Sequence, residues 1–191
     1  WGKMESWVIV LIVVGLLAFI VIGIYNRLVA LRQTCENSFA DIDVQLKQRR
    51  DLIPNLVSTV QGYAGHEAKV LENVTAARAA AMAGGSIEKT MAAEARVSQA
   101  LMDLNAVVEA YPDLKADQNF QSLQDELTDL ENKISAARRF FNSATAEFNT
   151  AIEQFPAVLI AGPLGFVKRT FFELPEASRA EYEKPPEVSF S

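Results

Sequence analysis

The chain has 191 residues, of which 50% are hydrophobic and 22% are charged, and its formal net charge is −6. It contains one histidine and one cysteine, which excludes an internal disulfide, a zinc finger and any site that needs two histidines. The acidic balance argues against nucleic acid as a partner, because phosphate binding needs concentrated lysine and arginine. After any membrane anchor, the length leaves room for one modest domain.

An apolar run of 19 residues extends from Trp7 to Tyr25. As a helix it would span about 28 Å, close to the thickness of the hydrocarbon core of a bilayer. The aromatic residues at its two ends suit the headgroup region. We therefore predict that residues 1–26 form a transmembrane anchor. A cleaved signal peptide is the alternative, but the run is long for one and bulky residues follow it.

The distribution of cations around the run predicts its orientation. Lys3 precedes the run, and five cations follow it: Arg27, Arg32, Lys47, Arg49 and Arg50. Positive charge is retained on the cytoplasmic side. We expect a single-pass protein of the bacterial inner membrane, with its N-terminus outside and its domain in the cytoplasm.

Residues 27–155 have the composition and periodicity of helices. The clearest segment alternates steps of three and four residues: Phe120, Leu123, Leu127, Leu130, Ile134, Ala137, Phe141, Ala144, Phe148, Ala151 and Phe155. This 3.5-residue repeat is typical of a bundle helix or a coiled coil. Asp117, just ahead of the segment, is a candidate N-cap.

Three further helices are predicted upstream, which makes the fold class all-α. The first leaves the anchor and is interrupted at residues 49–54. The second starts at Asp51, with Pro54 in its first turn, and ends at Gly84-Gly85. The third ends at Pro112. With short connections, four long helices favour an antiparallel up-and-down bundle. In the alternative, the first two helices form one rod that kinks at Pro54.

Two segments follow the predicted bundle. Residues 156–172 are apolar but interrupted by proline and glycine, and we expect them to lie on the membrane surface. The candidate membrane-surface residues are Phe166, Lys168, Arg169, Phe171 and Phe172. The alternative is that the segment folds back and caps the bundle. Residues 173–191, with five glutamates and three prolines, are predicted to form an acidic tail.

The sequence contains no recognisable catalytic, metal or cofactor motif. His66-Glu67 begins like a metalloprotease motif, but Val70 stands where the second histidine belongs. Cys35 lies on an apolar stripe and is expected in the core. The most polar cluster comprises Arg49, Arg50, Asp51 and Asn55, which we expect either to cap and salt-bridge the predicted turn or to dock a partner.

Several motifs resemble those of the LemA family of bacterial membrane proteins. They are residues 42–57 (IDVQLKQRRDLIPNLV), 62–67 (GYAGHE) and 119–127 (NFQSLQDEL), and the resemblance extends over nearly the whole chain. It implies an N-terminal anchor, a cytoplasmic up-and-down four-helix bundle and no established enzymatic activity. It also implies a link to membrane protein quality control.

These features together predict a non-enzymatic, membrane-anchored helical scaffold or adaptor that organises envelope or membrane proteins. The expected partners are the lipid bilayer, further copies of the chain and other membrane proteins such as quality-control proteases; no nucleic acid or cofactor is expected. The alternative is a small-molecule sensor or an enzyme with its site between bundle helices.

Overall fold

The computed structural model describes residues 2–172, with side chains from Ser6 onwards. Within these residues the chain is helical and no strand is found, which confirms the all-α class. The acidic tail predicted at residues 173–191 lies outside the described residues. The helices are α1 (Gly2–Tyr63), α2 (Ala68–Met82), α3 (Ile87–Val108), α4 (Pro112–Lys115), α5 (Gln118–Glu153) and α6 (Val158–Ala161).

Helix α1 begins with the apolar run, and no side chain of its most apolar window is buried. Phe19, for example, is 77% exposed. Among the described helices, α1 alone is long and apolar enough to cross a membrane. An exposed face of this size is unfavourable in water, so the helix agrees with the predicted anchor.

The predicted helix start at Asp51 is wrong, because α1 continues through Pro54 to Tyr63. The alternative, one rod made of both predicted helices, holds only as far as Tyr63, because Ala68–Met82 forms a separate helix. Pro54 has no N–H to donate to the carbonyl of Arg50, four residues earlier. The side chain of Arg78 donates from Nε to that carbonyl at 2.8 Å instead. A neighbouring helix therefore replaces the hydrogen bond that proline removes.

The break between α1 and α2 lies at residues 64–67, inside the segment that we predicted as one helix. There the amide of Glu67 donates to the carbonyl of Ala64 at 3.0 Å in a turn. The predicted stop at Gly84-Gly85 is confirmed: both glycines have positive φ, 64° and 142°, which disfavours other residues. Ser86 then caps α3 by accepting from the amide of Lys89.

Helix α5 follows the predicted heptad stripe closely. Asp117 is its N-cap, as predicted, because its Oδ1 accepts from the amide of Phe120 at 2.9 Å. Most stripe residues from Phe120 to Ala151 are buried. The last predicted member, Phe155, lies beyond the end of α5 and is 80% exposed.

The described residues fall into two compact units, each with its own hydrophobic core. One unit contains the chain up to Asp41 and Ala137–Phe171; the other contains Ile42–Ala136. The core of the first unit comprises Leu28, Cys35, Ala144, Phe148, Ala151, Ile152, Ala157, Ala161 and Phe166. The core of the second draws on α1 to α5: Ile53, Leu56, Val60, Ala64, Leu71, Val74, Ala77, Ala81, Val97, Ala100, Leu104, Val108, Leu114, Phe120 and Leu127.

Candidate functional site

The most unusual polar feature is a guanidinium buried in the second unit. Arg49 of α1 is 0% exposed. Its Nη2 donates to Oε2 of Glu94 at 2.5 Å, and its Nη1 donates to Ser98 Oγ at 2.9 Å and to the carboxylate of Glu131. Because an isolated buried charge is very costly, these contacts make Arg49 a fixed connection between α1, α3 and α5.

Arg50 extends the same network to α2. Its Nη1 donates to the carbonyl of Ala81 at 2.6 Å and lies 3.2 Å from Oε1 of Glu94. Glu94 therefore contacts both arginines, and it is itself 0% exposed. We call Arg49, Arg50, Glu94, Ser98 and Glu131 the arginine cluster. Its geometry suits holding the helices together.

The four residues predicted to dock a partner or cap a turn do not share one surface. Arg49 and Arg50 point into the arginine cluster, whereas Asp51 and Asn55 are exposed. Because α1 is continuous here, there is no turn at this position to cap. Of the four residues, only Asp51 and Asn55 are therefore accessible enough to dock a partner.

Glu94 is not among the residues predicted from the sequence, although its position in the pattern of α3 indicates burial. The apolar stripe of α3 includes Met91 and Val97, and Glu94 occupies the step between them. Arg49 likewise continues the stripe of Ile42 and Leu46. A charged residue in register with a buried stripe predicts a buried ion pair.

In the first unit, Phe166 is buried against aromatic and cationic neighbours. Its ring lies 5.8 Å from that of Tyr25 and 6.4 Å from that of Phe148, centroid to centroid. The guanidinium carbon of Arg32 lies 5.4 Å from the same ring centroid, within cation–π range. Phe166 thereby fixes residues 156–172 against α1 and α5.

The cations of this segment are paired. Lys168 Nζ lies 2.6 Å from Glu153, and Arg169 donates from Nη2 to Glu36 at 2.7 Å. Asn149 clamps the backbone of Arg169, accepting from its amide and donating to its carbonyl, each at 2.9 Å. Among the predicted surface residues, Lys168 and Phe171 are exposed, Arg169 is half-buried and Phe172 is buried.

The described residues were considered as possible metal ligands and, at Cys35 and His66, as possible nucleophile and base. No group of three or more His, Cys, Asp or Glu side chains there is placed to hold a metal ion. Burial raises the pKa of the Cys35 thiol, although the positive charge of Arg169 opposes the shift. The reactive thiolate is therefore disfavoured at Cys35, and His66 lies exposed in the turn after α1.

A groove of about 460 Å³ opens between α3 and α5 in the second unit. Its wall includes a hydrogen bond from Gln124 Nε2 to Asn105 Oδ1 at 2.5 Å. The full lining is Asn105, Val108, Glu109, Lys115, Phe120, Gln121, Gln124 and Asp125. The lining combines amide and charged side chains with the apolar side chains of Val108 and Phe120, so it offers a ligand both hydrogen-bonding groups and apolar surface.

Comparisons with known proteins point to one family. A sequence model described as the LemA family matches residues 38–190. The chain is 25% identical over 175 residues to Protein LemA of Metamycoplasma hominis, covering 91% of this chain and 80% of that protein. It is 24% identical over 188 residues to Magnetosome protein MamQ of Magnetospirillum gryphiswaldense, covering 84% and 69%. It is 22% identical over 175 residues to Magnetosome protein MamQ 2 of Paramagnetospirillum magneticum, covering 78% and 64%.

Proposed function

The chain belongs to the LemA family, and we propose that it is a non-enzymatic, membrane-anchored helical scaffold or adaptor. Its proposed work is to hold other membrane proteins, and further copies of itself, beside the bilayer. Family membership supports a membrane-associated protein of non-enzymatic character. The scaffold function and the self-association go beyond family membership and are what we propose.

The observation that carries the proposal is the continuity of α1. This helix runs from the exposed apolar stretch to Tyr63 without a break. It contributes Leu28 and Cys35 to the first core and Ile53 and Leu56 to the second. A partner bound to either unit would therefore be tethered to the membrane by a helix rather than by a flexible linker.

We further propose that α1, α2, α3 and α5 form the up-and-down four-helix bundle expected of residues 27–155. The short turns at residues 64–67 and 83–86 support this arrangement. The excess of cations after the apolar run supports a location at the bacterial inner membrane, with the N-terminus outside and the domain in the cytoplasm.

Asp51 and Asn55 are the proposed docking residues for a protein partner. Both are exposed on α1, next to the buried Arg49 and the half-buried Arg50. A rigid helix face held from behind by ion pairs is a suitable platform for binding, because little order is lost when a partner binds. Membrane proteins such as quality-control proteases are the partner class that we propose.

Native extraction tests the scaffold directly. The full chain, expressed with an affinity tag, is extracted in mild detergent, its mass is measured, and the co-purifying proteins are identified. We expect an assembly larger than one chain that also contains other membrane proteins. Asp51→Ala with Asn55→Ala should weaken the association with partners, while Ser58→Ala with Gln61→Ala, exposed on the same helix, should not. A lone monomer with no partner contradicts the proposal.

The groove between α3 and α5 favours a second candidate, a small-molecule sensor. Its volume of about 460 Å³ falls within the range of ligand pockets, and its lining includes several hydrogen-bonding side chains beside apolar ones. Native mass spectrometry of the purified protein would reveal a retained ligand as added mass. Loss of that mass in Phe120→Ala, with the fold intact by circular dichroism, would favour the sensor over the scaffold.

A further inference from the structure

The segment after α5 has two faces of opposite character. Ala157, Ala161 and Phe166 are buried in the core of the first unit. Facing the other way, Phe155 is 80% exposed, Leu159 66% and Val167 72%. We call these three residues the outer patch. Among the described residues, this segment therefore buries one apolar face and leaves another uncovered, an arrangement that suits contact with a further apolar surface.

The outer patch lies beside the end of the apolar run. The ring of Phe166, the residue before Val167, packs on Tyr25, the last residue of the run. Phe155 and Pro156 line a small cavity together with Ile24 and Arg27 of α1. Within the first unit, the exposed apolar side chains of the patch are therefore adjacent to the C-terminal end of the apolar run.

Hydrogen bonds prevent the outer patch from folding away from solvent. The amide of Phe166 donates to the carbonyl of Ala161 at 2.9 Å, and that of Leu164 donates to Ile160 at 3.1 Å. Asn149 clamps Arg169 on the far side of Val167. The backbone is fixed at both ends, so the exposed side chains cannot collapse onto the core without breaking these bonds.

From this placement we infer that Phe155, Leu159 and Val167 insert into the interfacial layer of the bilayer that the apolar run crosses. The inference rests on the membrane anchor of the proposed function. A lipid surface is the occupant because it already covers the adjoining run, and the patch continues that surface. Since Lys168 and Arg169 are paired with glutamates, apolar insertion rather than binding to anionic headgroups provides the attraction.

Nitroxide accessibility in vesicles tests this insertion on the full chain. Leu159→Cys and Val167→Cys are each spin-labelled in a Cys35→Ala background and reconstituted in phosphatidylcholine vesicles. Collisions with oxygen report lipid, and collisions with a polar nickel complex report water. The matched control is Phe140→Cys, which replaces an exposed phenylalanine, 58% exposed, in the same unit, about 20 Å away along the direction of α5.

We expect both patch labels to collide more with oxygen and less with nickel than the label at position 140. Equal behaviour at all three positions would place the patch in water and overturn the inference. Labels shielded from both reagents, with dipolar coupling between chains, would assign the patch to a second copy and also overturn it. A label at Leu16→Cys separates the two proposals: if it lies in lipid while the patch labels do not, the anchor stands and the insertion fails.

Discussion

Arg49 and Glu94 place a complete ion pair out of contact with water. Each has a side-chain exposure of 0%, and the pair connects α1 with α3. Coulombic attraction between buried charges offsets their desolvation only while both partners are present. The contribution of the pair is therefore to specify which helix faces meet, more than to add net stability.

Removing one partner of this pair should be strongly destabilising. We expect Arg49→Ala to lower the free energy of unfolding by about 3–5 kcal/mol, because Glu94 would remain buried without its closest charge. Replacing both, as Arg49→Met with Glu94→Leu, should recover most of the loss. Denaturant unfolding in detergent measures both values. Lys133→Ala, which removes an exposed pair with Asp129, is the control and should cost less than about 1 kcal/mol.

The N-cap of α5 links stability to pH. The amide of Phe120 first, and the hydroxyl of Tyr63 second, donate to the Asp117 carboxylate and hold its pKa below the ordinary value. A carboxyl with a lowered folded pKa stabilises the fold above its unfolded pKa, and this contribution is lost as pH falls through the folded pKa.

Asp117→Asn should therefore reduce the fall in melting temperature on acidification below about pH 4, the ordinary range of an aspartate. The asparagine remains a competent cap, so stability near neutral pH should change little. Melting curves recorded from pH 7 downwards provide the measurement, with Glu72→Gln on the exposed face of α2 as control. The same acid sensitivity in the Asp117 variant and in the wild type would refute the assignment.

In helix α1, the buried stripe could be predicted from the sequence, whereas the continuation of the helix through Pro54 could not. Its buried positions Ile42, Leu46, Arg49, Ile53 and Leu56 follow unbroken steps of three and four. Pro54 nevertheless predicted a helix start, because local rules do not include Arg78, which supplies the missing donor from α2. What could be predicted was periodic and local; what could not was a contact between helices distant in sequence.

The same distinction applies to the other elements. The stripe and the cap of α5 were predictable because both are local patterns. The turn at residues 64–67 has only Gly65 as a signal, and we missed it. The apolar residues of the segment after α5 were recognised, but which of them face inward depends on Phe166 packing against Tyr25 and Phe148.

A double-mutant cycle tests how α1 tolerates its proline. Arg78→Met removes the donor to the part-buried Arg50 carbonyl and should cost about 1 kcal/mol, the typical net contribution of one hydrogen bond. In a Pro54→Ala background the new amide can donate to that carbonyl, so the same substitution should cost less. Denaturant unfolding of the four proteins gives the coupling energy. Equal costs in both backgrounds would show that Arg78 does not compensate for the proline.

For the whole molecule, the membrane divides the chain into an N-terminal end and a much larger helical part. We propose that the larger part lies in the cytoplasm, because Arg27 and Arg32 follow the apolar run closely and positive charge is retained on that side. Topology therefore depends on charges outside both hydrophobic cores.

Cysteine accessibility in intact bacteria checks this topology. If the helical part faces the cytoplasm as proposed, Met102→Cys, exposed on α3, should be protected from a membrane-impermeant maleimide until the inner membrane is permeabilised. Lys3→Cys should react in intact spheroplasts. Both variants carry Cys35→Ala, so that each chain has a single thiol. Labelling of Met102→Cys before permeabilisation, with Lys3→Cys protected, would reverse the proposed orientation and place the docking residues Asp51 and Asn55 outside the inner membrane.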